Sequence, residues 1–189
     1  MQGLVYALDG KSEKISNSIF LYAPVEKTIS KKNIHSASLD DTLRLNWGLK
    51  NELKKYNSSF LINAGSSSIA AYSSKNDNVS WTIGITNPEQ TQNQIFAVNL
   101  NNGSISTSGD YEKYYYLENG TKRHHILNPF TGYPENYYVS NTLISENAGI
   151  IDALSTALFN VENEQEYKAI IQNIEEHYNT DISFLYIQN

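Results

Sequence analysis

Hydrophobic and polar positions along the chain change period several times, and the changes mark its elements. Ser18 to Ala23 (SIFLYA) is a short apolar run of β type within a polar first forty residues. From Asp40 to Tyr56 the spacing of Leu43, Leu45, Leu49 and Leu53 with Trp47 is mostly helical, ended by the polar Asn57-Ser58-Ser59. Phe60 to Asn63 (FLIN) is a buried strand. Ser80 to Thr86 and Gln94 to Leu100 alternate apolar with polar residues, and each is followed by Asn, Pro or Gly turn signals, which predicts an antiparallel meander. Tyr137 to Ile144 is a further strand. Ala148 to Asn160 is a helix with an apolar face of Ile151, Leu154, Ala157 and Leu158, and a last helix, Glu164 to His177, precedes a final strand, Ile182 to Ile187. The fold class is α+β, a mainly antiparallel sheet with packed helices in a single domain over residues 1–189.

Composition narrows the functional classes. With 189 residues, 40% of them hydrophobic, the chain closes one core. A formal net charge of -6 and the lack of a long Lys/Arg cluster argue against a nucleic-acid partner or an anionic membrane surface. Without cysteine there are no disulfides and no thiolate metal sites. No apolar run approaches the roughly 18 residues of a transmembrane helix, and Met1 to Ala7 lacks the pattern of a signal peptide, so the chain as given is expected to be soluble.

Candidate chemistry concentrates between Ser106 and Pro134. Ser106, Thr107 and Ser108 before Gly109-Asp110 combine hydroxyls with a glycine turn that can present backbone amides to an anion, although an ordinary loop would have the same composition. His124 and His125 follow. On a strand their rings would point to opposite faces, leaving at most one for a given site, and the turn from Asn128 to Pro134 would hold that imidazole in place. Downstream, Asp152 and Thr156 are four apart on one helix face, an oxygen pair suited to a magnesium ion that takes few protein ligands. In the alternative, the aspartate faces solvent and the threonine bonds back to a carbonyl one turn earlier.

The order of these segments resembles the bacterial flavin transferases of the ApbE type, the FAD:protein FMN transferases. The resemblance covers roughly residues 60–187. It rests on Asn63-Ala64-Gly65, on Trp81-Thr82-Ile83-Gly84-Ile85 with Asn87-Pro88, on Thr107 to Glu112, on His124 to Pro129 with Gly132-Tyr133-Pro134, and on Asp152 to Phe159. What the resemblance implies is cleavage of FAD at its pyrophosphate, attachment of FMN to a threonine hydroxyl of an acceptor protein, and release of AMP. It implies Mg²⁺ held by Asp152 and Thr156, His125 as the base, and an FAD site lined by Ser108, Gly109, Asp110, His125 and Ile126. An extracytoplasmic bacterial location is likewise only what the resemblance implies.

Residues 1–59 are expected to be the diverged part. Counted back from Asn63, the family segment Asp-Leu-Gly-Gly-Ile-Ala-Lys-Gly-Tyr falls on His35 to Leu43, with Asp41 at the lysine position, and Gly65-Ser66 stands for a family Gly-Gly. The chain is short against the family, as in a truncated or diverged relative. A noncatalytic flavin- or nucleotide-binding relative is therefore the alternative expectation.

Overall fold

The structure is a computed structural model that describes residues 10–14, 19–24, 50–51, 53–55, 59–65, 67–75, 79–90 and 93–189. The His35 to Leu43 segment, Ser66 and most of the Asp40 to Tyr56 helix lie outside the described residues; residues 50, 51, 53 and 54 are helical.

Eleven strands are described: β1 (Gly10–Lys14), β2 (Ile19–Pro24), β3 (Phe60–Ala64), β4 (Ser68–Tyr72), β5 (Trp81–Thr86), β6 (Gln94–Leu100), β7 (Gly103–Gly109), β8 (Tyr114–Tyr116), β9 (Lys122–His124), β10 (Tyr138–Ser145) and β11 (Ser183–Gln188). Two long helices, α1 (Ala148–Leu158) and α2 (Glu164–Tyr178), lie between the last two strands. Seven strands form one sheet in the order β1-β2-β3-β4-β7-β10-β11, with antiparallel pairing throughout. The α+β class is as expected from the pattern.

Side chains alternate across this sheet, and each face acquires its own layer. Leu61, Ile69 and Ile105 belong to a core completed by Trp81, Ile83 and Ile85 of β5 and Leu100 of β6. The expected meander is therefore half right: β5 and β6 pair with each other, but as a separate ribbon stacked on the sheet. Their alternation decides this, because the buried row of β5 must be covered, and the sheet face carrying Leu61, Ile69 and Ile105 covers it.

Leu143 joins the other core, with Ile151, Leu154 and Leu158 of α1 and Tyr167 and Ile171 of α2. Helix α1 starts where the Asn147 side chain accepts from the Ile150 amide. On α2, Asn163 accepts from the Gln165 and Glu166 amides, and Asn179 ends the helix in the left-handed region at φ 47°. One detail of the expected α1 face is corrected: Ala157 is exposed and Ser155 is buried. The helix lies over hydroxyls of β7, so a serine there finds partners that an alanine would leave unmatched.

A second correction concerns Ser106 to Gly109. This is not a turn but the second half of β7, paired with β10 through Ser140↔Gly109. The turn follows at Asp110 and Tyr111. Small side chains made the stretch look like a loop; between two neighbouring strands they make a slender strand that α1 approaches closely.

Candidate functional site

Strand β7 has a different chemistry on each face. Ile105, Thr107 and Gly109 line a cavity of about 220 Å³, together with Ile83 and Gly84 of β5 and Gly65 of the β3–β4 turn. Thr107 and Thr142 hydroxyls meet at 2.9 Å on this face. Ser104, Ser106 and Ser108 fall on the opposite face, under α1. The Ser106 hydroxyl donates to Asp152 Oδ1 at 2.7 Å, and Ser108 Oγ lies 2.9 Å from Ser155 Oγ and 3.1 Å from Thr156 Oγ1.

Pairing of β4 with β7 stops at Ser68↔Ser106, and the Thr107 amide makes a last bond to the Ser67 carbonyl at 2.8 Å. Beyond it, Thr107 to Gly109 keep their β10 neighbour but have left the β4 pairing. The β3–β4 turn reaches the cavity through Gly65, whose φ of +65° suits glycine. At the other end Gly109 lies under the Tyr111 ring, where a Cβ would come within 2.5 Å of a ring carbon. Burial, with Glu112 and Asp110 adding to it, pushes the Tyr111 phenol up to about 12.

The α1 cluster is made of oxygen donors. Asp152 is partly exposed, and burial raises its carboxyl above the ordinary aspartate value, with the Ser106 bond acting in the opposite direction. Thr156 and Ser155 hydroxyls both donate to the Asp152 carbonyl, at 3.3 and 3.1 Å. The threonine thus back-bonds as the plainer expectation had it, while the aspartate does not simply face solvent. Among the described residues no group of three or more His, Cys, Asp or Glu side chains is placed to hold a metal ion. A cation here would rely on one carboxylate, hydroxyls and oxygens from elsewhere, a donor set that fits magnesium.

The two histidines separate as strand alternation requires. His124 is buried; its Nε2–H donates to the Glu135 carbonyl at 2.8 Å, its Nδ1 accepts from the Ile126 amide, and its ring meets Phe159 edge-on. His125 is exposed and lines the cavity. Its Nδ1 lies 3.3 Å from the Lys113 carbonyl, which can only accept, so Nδ1 is the donor of that contact. The following loop is held by Asn128, which uses its amide, carbonyl and both side-chain polar atoms on Tyr133, Gly132, Glu135 and Phe130.

Of the other expected site residues, Gly109 lines the cavity, whereas Ser108, Asp110 and Ile126 are not among its walls. Ser108 belongs to the α1 cluster. Asp110 is 3% exposed and forms an ion pair with Lys122 at 2.8 Å, tying the β8–β9 hairpin to the end of β7. Ile126 is part of the helix-side core. Sequence reading missed Ser106 as the partner of Asp152 and Tyr111 as a cavity wall. The signal for Ser106 is the period-two run Ser104-Ile105-Ser106-Thr107-Ser108, whose small residues suit a loop equally well.

The sequence model of the ApbE family matches residues 49–179, most of the chain, including every residue of the α1 cluster, the cavity strands and His125. The chain belongs to the ApbE family. Over 106 residues it is 38% identical to a FAD:protein FMN transferase of Buchnera aphidicola, covering 55% of this chain and 30% of that protein. A Klebsiella pneumoniae protein of the same name is 38% identical over 94 residues, 49% of this chain and 29% of its own length. Among solved structures, the ApbE protein of Thermotoga maritima superposes with a TM-score of 0.61 at 27% identity, over 76% of this chain and 47% of that one. The apo flavinyl transferase ApbE of Pseudomonas stutzeri gives 0.56 at 25% identity, over 78% and 46%. This ApbE-family chain thus matches about a third of the length of these curated relatives and about half of the solved chains. Among its described residues no helix is long and apolar enough to cross a membrane.

Proposed function

We propose that this chain carries the FAD:protein FMN transferase activity for which its relatives are named, with FAD as donor, Mg²⁺ as the ion and a threonine hydroxyl of another protein as acceptor. The observation that supports this reading is that one strand, β7, contributes Ser106 and Ser108 on one face to an oxygen cluster with Asp152 and Thr156 and, on the other, Thr107 and Gly109 to a cavity that His125 also lines. Asp152 and Thr156 would hold the ion, which when bound would offset the charge of the pyrophosphate. Gly109, Thr107 and Tyr111 would line the donor's site, and the acidic chain would depend on the cation and backbone amides to admit an anion.

In the transfer, the acceptor oxygen forms a bond to the FMN phosphorus, the anhydride bond breaks, and AMP leaves. His125 Nε2 takes the hydroxyl proton, its Nδ1–H resting on the Lys113 carbonyl. An extracytoplasmic setting belongs to the same proposal by family likeness.

The test is calorimetric titration of FAD into the purified chain with and without Mg²⁺, followed by chromatography for AMP. Mg²⁺-dependent binding with AMP release supports the transferase. Binding without release favours a noncatalytic flavin-binding relative, and no binding removes both.

A further inference from the structure

Asp152 is held by a residue on another element. Ser106 is 1% exposed at the centre of the sheet, and its register is fixed on both sides, opposite Ser68 on β4 and Leu143 on β10. Its hydroxyl has one proton and two acceptors within reach, Asp152 Oδ1 at 2.7 Å and the Ser67 carbonyl at 3.3 Å. The shorter contact, to a charged acceptor, takes it. The Asp152 carbonyl is meanwhile tied by Ser155 and Thr156 on its own helix. The carboxylate is therefore fixed at Oδ1 by the sheet, with Oδ2 left as the second oxygen.

We infer that Ser106 is a positioning residue that aims the Asp152 carboxylate at a divalent cation. The inference rests on the cation-binding reading proposed above and goes beyond it by assigning the group that sets ligand geometry. A desolvated carboxylate without this donor would lose a charge-assisted hydrogen bond and gain rotational freedom, and both effects oppose binding of an ion that needs an oriented ligand. Loss of such a supporting hydrogen bond commonly weakens metal binding about 10–100-fold. The sequence provides its own control: Ser104 lies two residues away on the same strand and face, is equally buried, and its hydroxyl has no hydrogen-bond partner among the described residues.

The experiment measures Mn²⁺ binding to the full chain by the electron paramagnetic resonance of the free ion, with the melting temperature of each metal-free variant recorded beside it. Ser106→Ala is expected to raise the Mn²⁺ dissociation constant about 10–100-fold. Ser104→Ala is expected to leave it unchanged, and Ser106→Thr, which restores a hydroxyl, to recover most of the affinity. Mn²⁺ binding by Ser106→Ala within about threefold of wild type, or an equal loss in Ser104→Ala, overturns the positioning role while leaving the cation site standing. A wild-type chain that binds no Mn²⁺ overturns the cation-binding reading and the role of Ser106 with it.

Discussion

Replacing Tyr167 by Phe tests whether the helix-side core is organised around a single polar node. The Tyr167 hydroxyl donates to Asn141 Oδ1 at 2.6 Å, and Asn141 Nδ2 donates to the Ser155 carbonyl at 2.9 Å, so one buried amide joins β10 to both helices. Both residues are fully buried, and burial holds the Tyr167 phenol well above the ordinary tyrosine range, keeping it a donor. Phenylalanine retains the ring packing against Tyr138, Phe184 and Tyr186. What it removes is one hydrogen bond, leaving a buried amide oxygen without its donor, at a cost of about 1–3 kcal/mol. For a chain of this length each kcal/mol lowers the melting temperature by roughly 2–4 °C. Urea unfolding followed by circular dichroism should show the loss as a lower midpoint with an unchanged slope. A double-mutant cycle with Asn141→Ala should return a coupling of at least about 0.5 kcal/mol. A Tyr167→Phe variant within about 0.5 kcal/mol of wild type would refute the node.

Asp152→Ala is expected to abolish Mg²⁺-dependent AMP release from FAD while the metal-free protein melts no lower than wild type, since a carboxylate disfavoured by burial has been removed; release at the wild-type rate would end its assignment. His125→Ala should lower the turnover number about 10²- to 10⁴-fold with the fold intact, because the ring is exposed and its backbone amide bond to Lys113 persists; an unaltered turnover in stopped assays would exclude it as base. The folded state binds the Tyr111 proton more tightly than the unfolded chain does, so this contribution is intact below pH ~10 and is lost as pH rises through 12. Tyr111→Phe should reduce the alkaline loss of stability by about 1–2 kcal/mol after solvent screening, and identical pH profiles from denaturant titrations would show that the phenol is not buried as described.

Elements with strong periodicity were legible in the chain. The alternation of Trp81, Ile83 and Ile85 and the helical spacing of Ile151, Leu154 and Leu158 each carry a local signal, and each element forms where expected. The serine-rich β7 was not legible, because hydroxyl residues bond to nearby backbone in turns as readily as they line a strand, and only β4 and β10 on either side decide between the two. Asp152, Thr156 and His125 were candidates from spacing and resemblance. Ser106 and Tyr111 were not, since what singles them out is proximity across 46 residues of chain in one case and the collapse of a ring over Gly109 in the other. Asp110 is not a cavity wall: one carboxylate oxygen pairs with Lys122, and the other is buried without a hydrogen-bond partner among the described residues.

The two-faced strand also ties correct folding to chemistry. A slip of β7 by one residue against β10 would keep the ladder nearly as long, and would exchange every side chain between the faces. Thr107 would then stand beneath the carboxylate and Ser106 would enter the cavity. Such a misthreaded chain would retain much of its strand content and compactness while the oxygen cluster under α1 and the cavity wall were both scrambled. The Thr107–Thr142 pair and the match of Ile105 with Ile69 act as a key against that error, so a spectroscopic signature of strand content alone would be a poor guide to how many molecules in a preparation are competent.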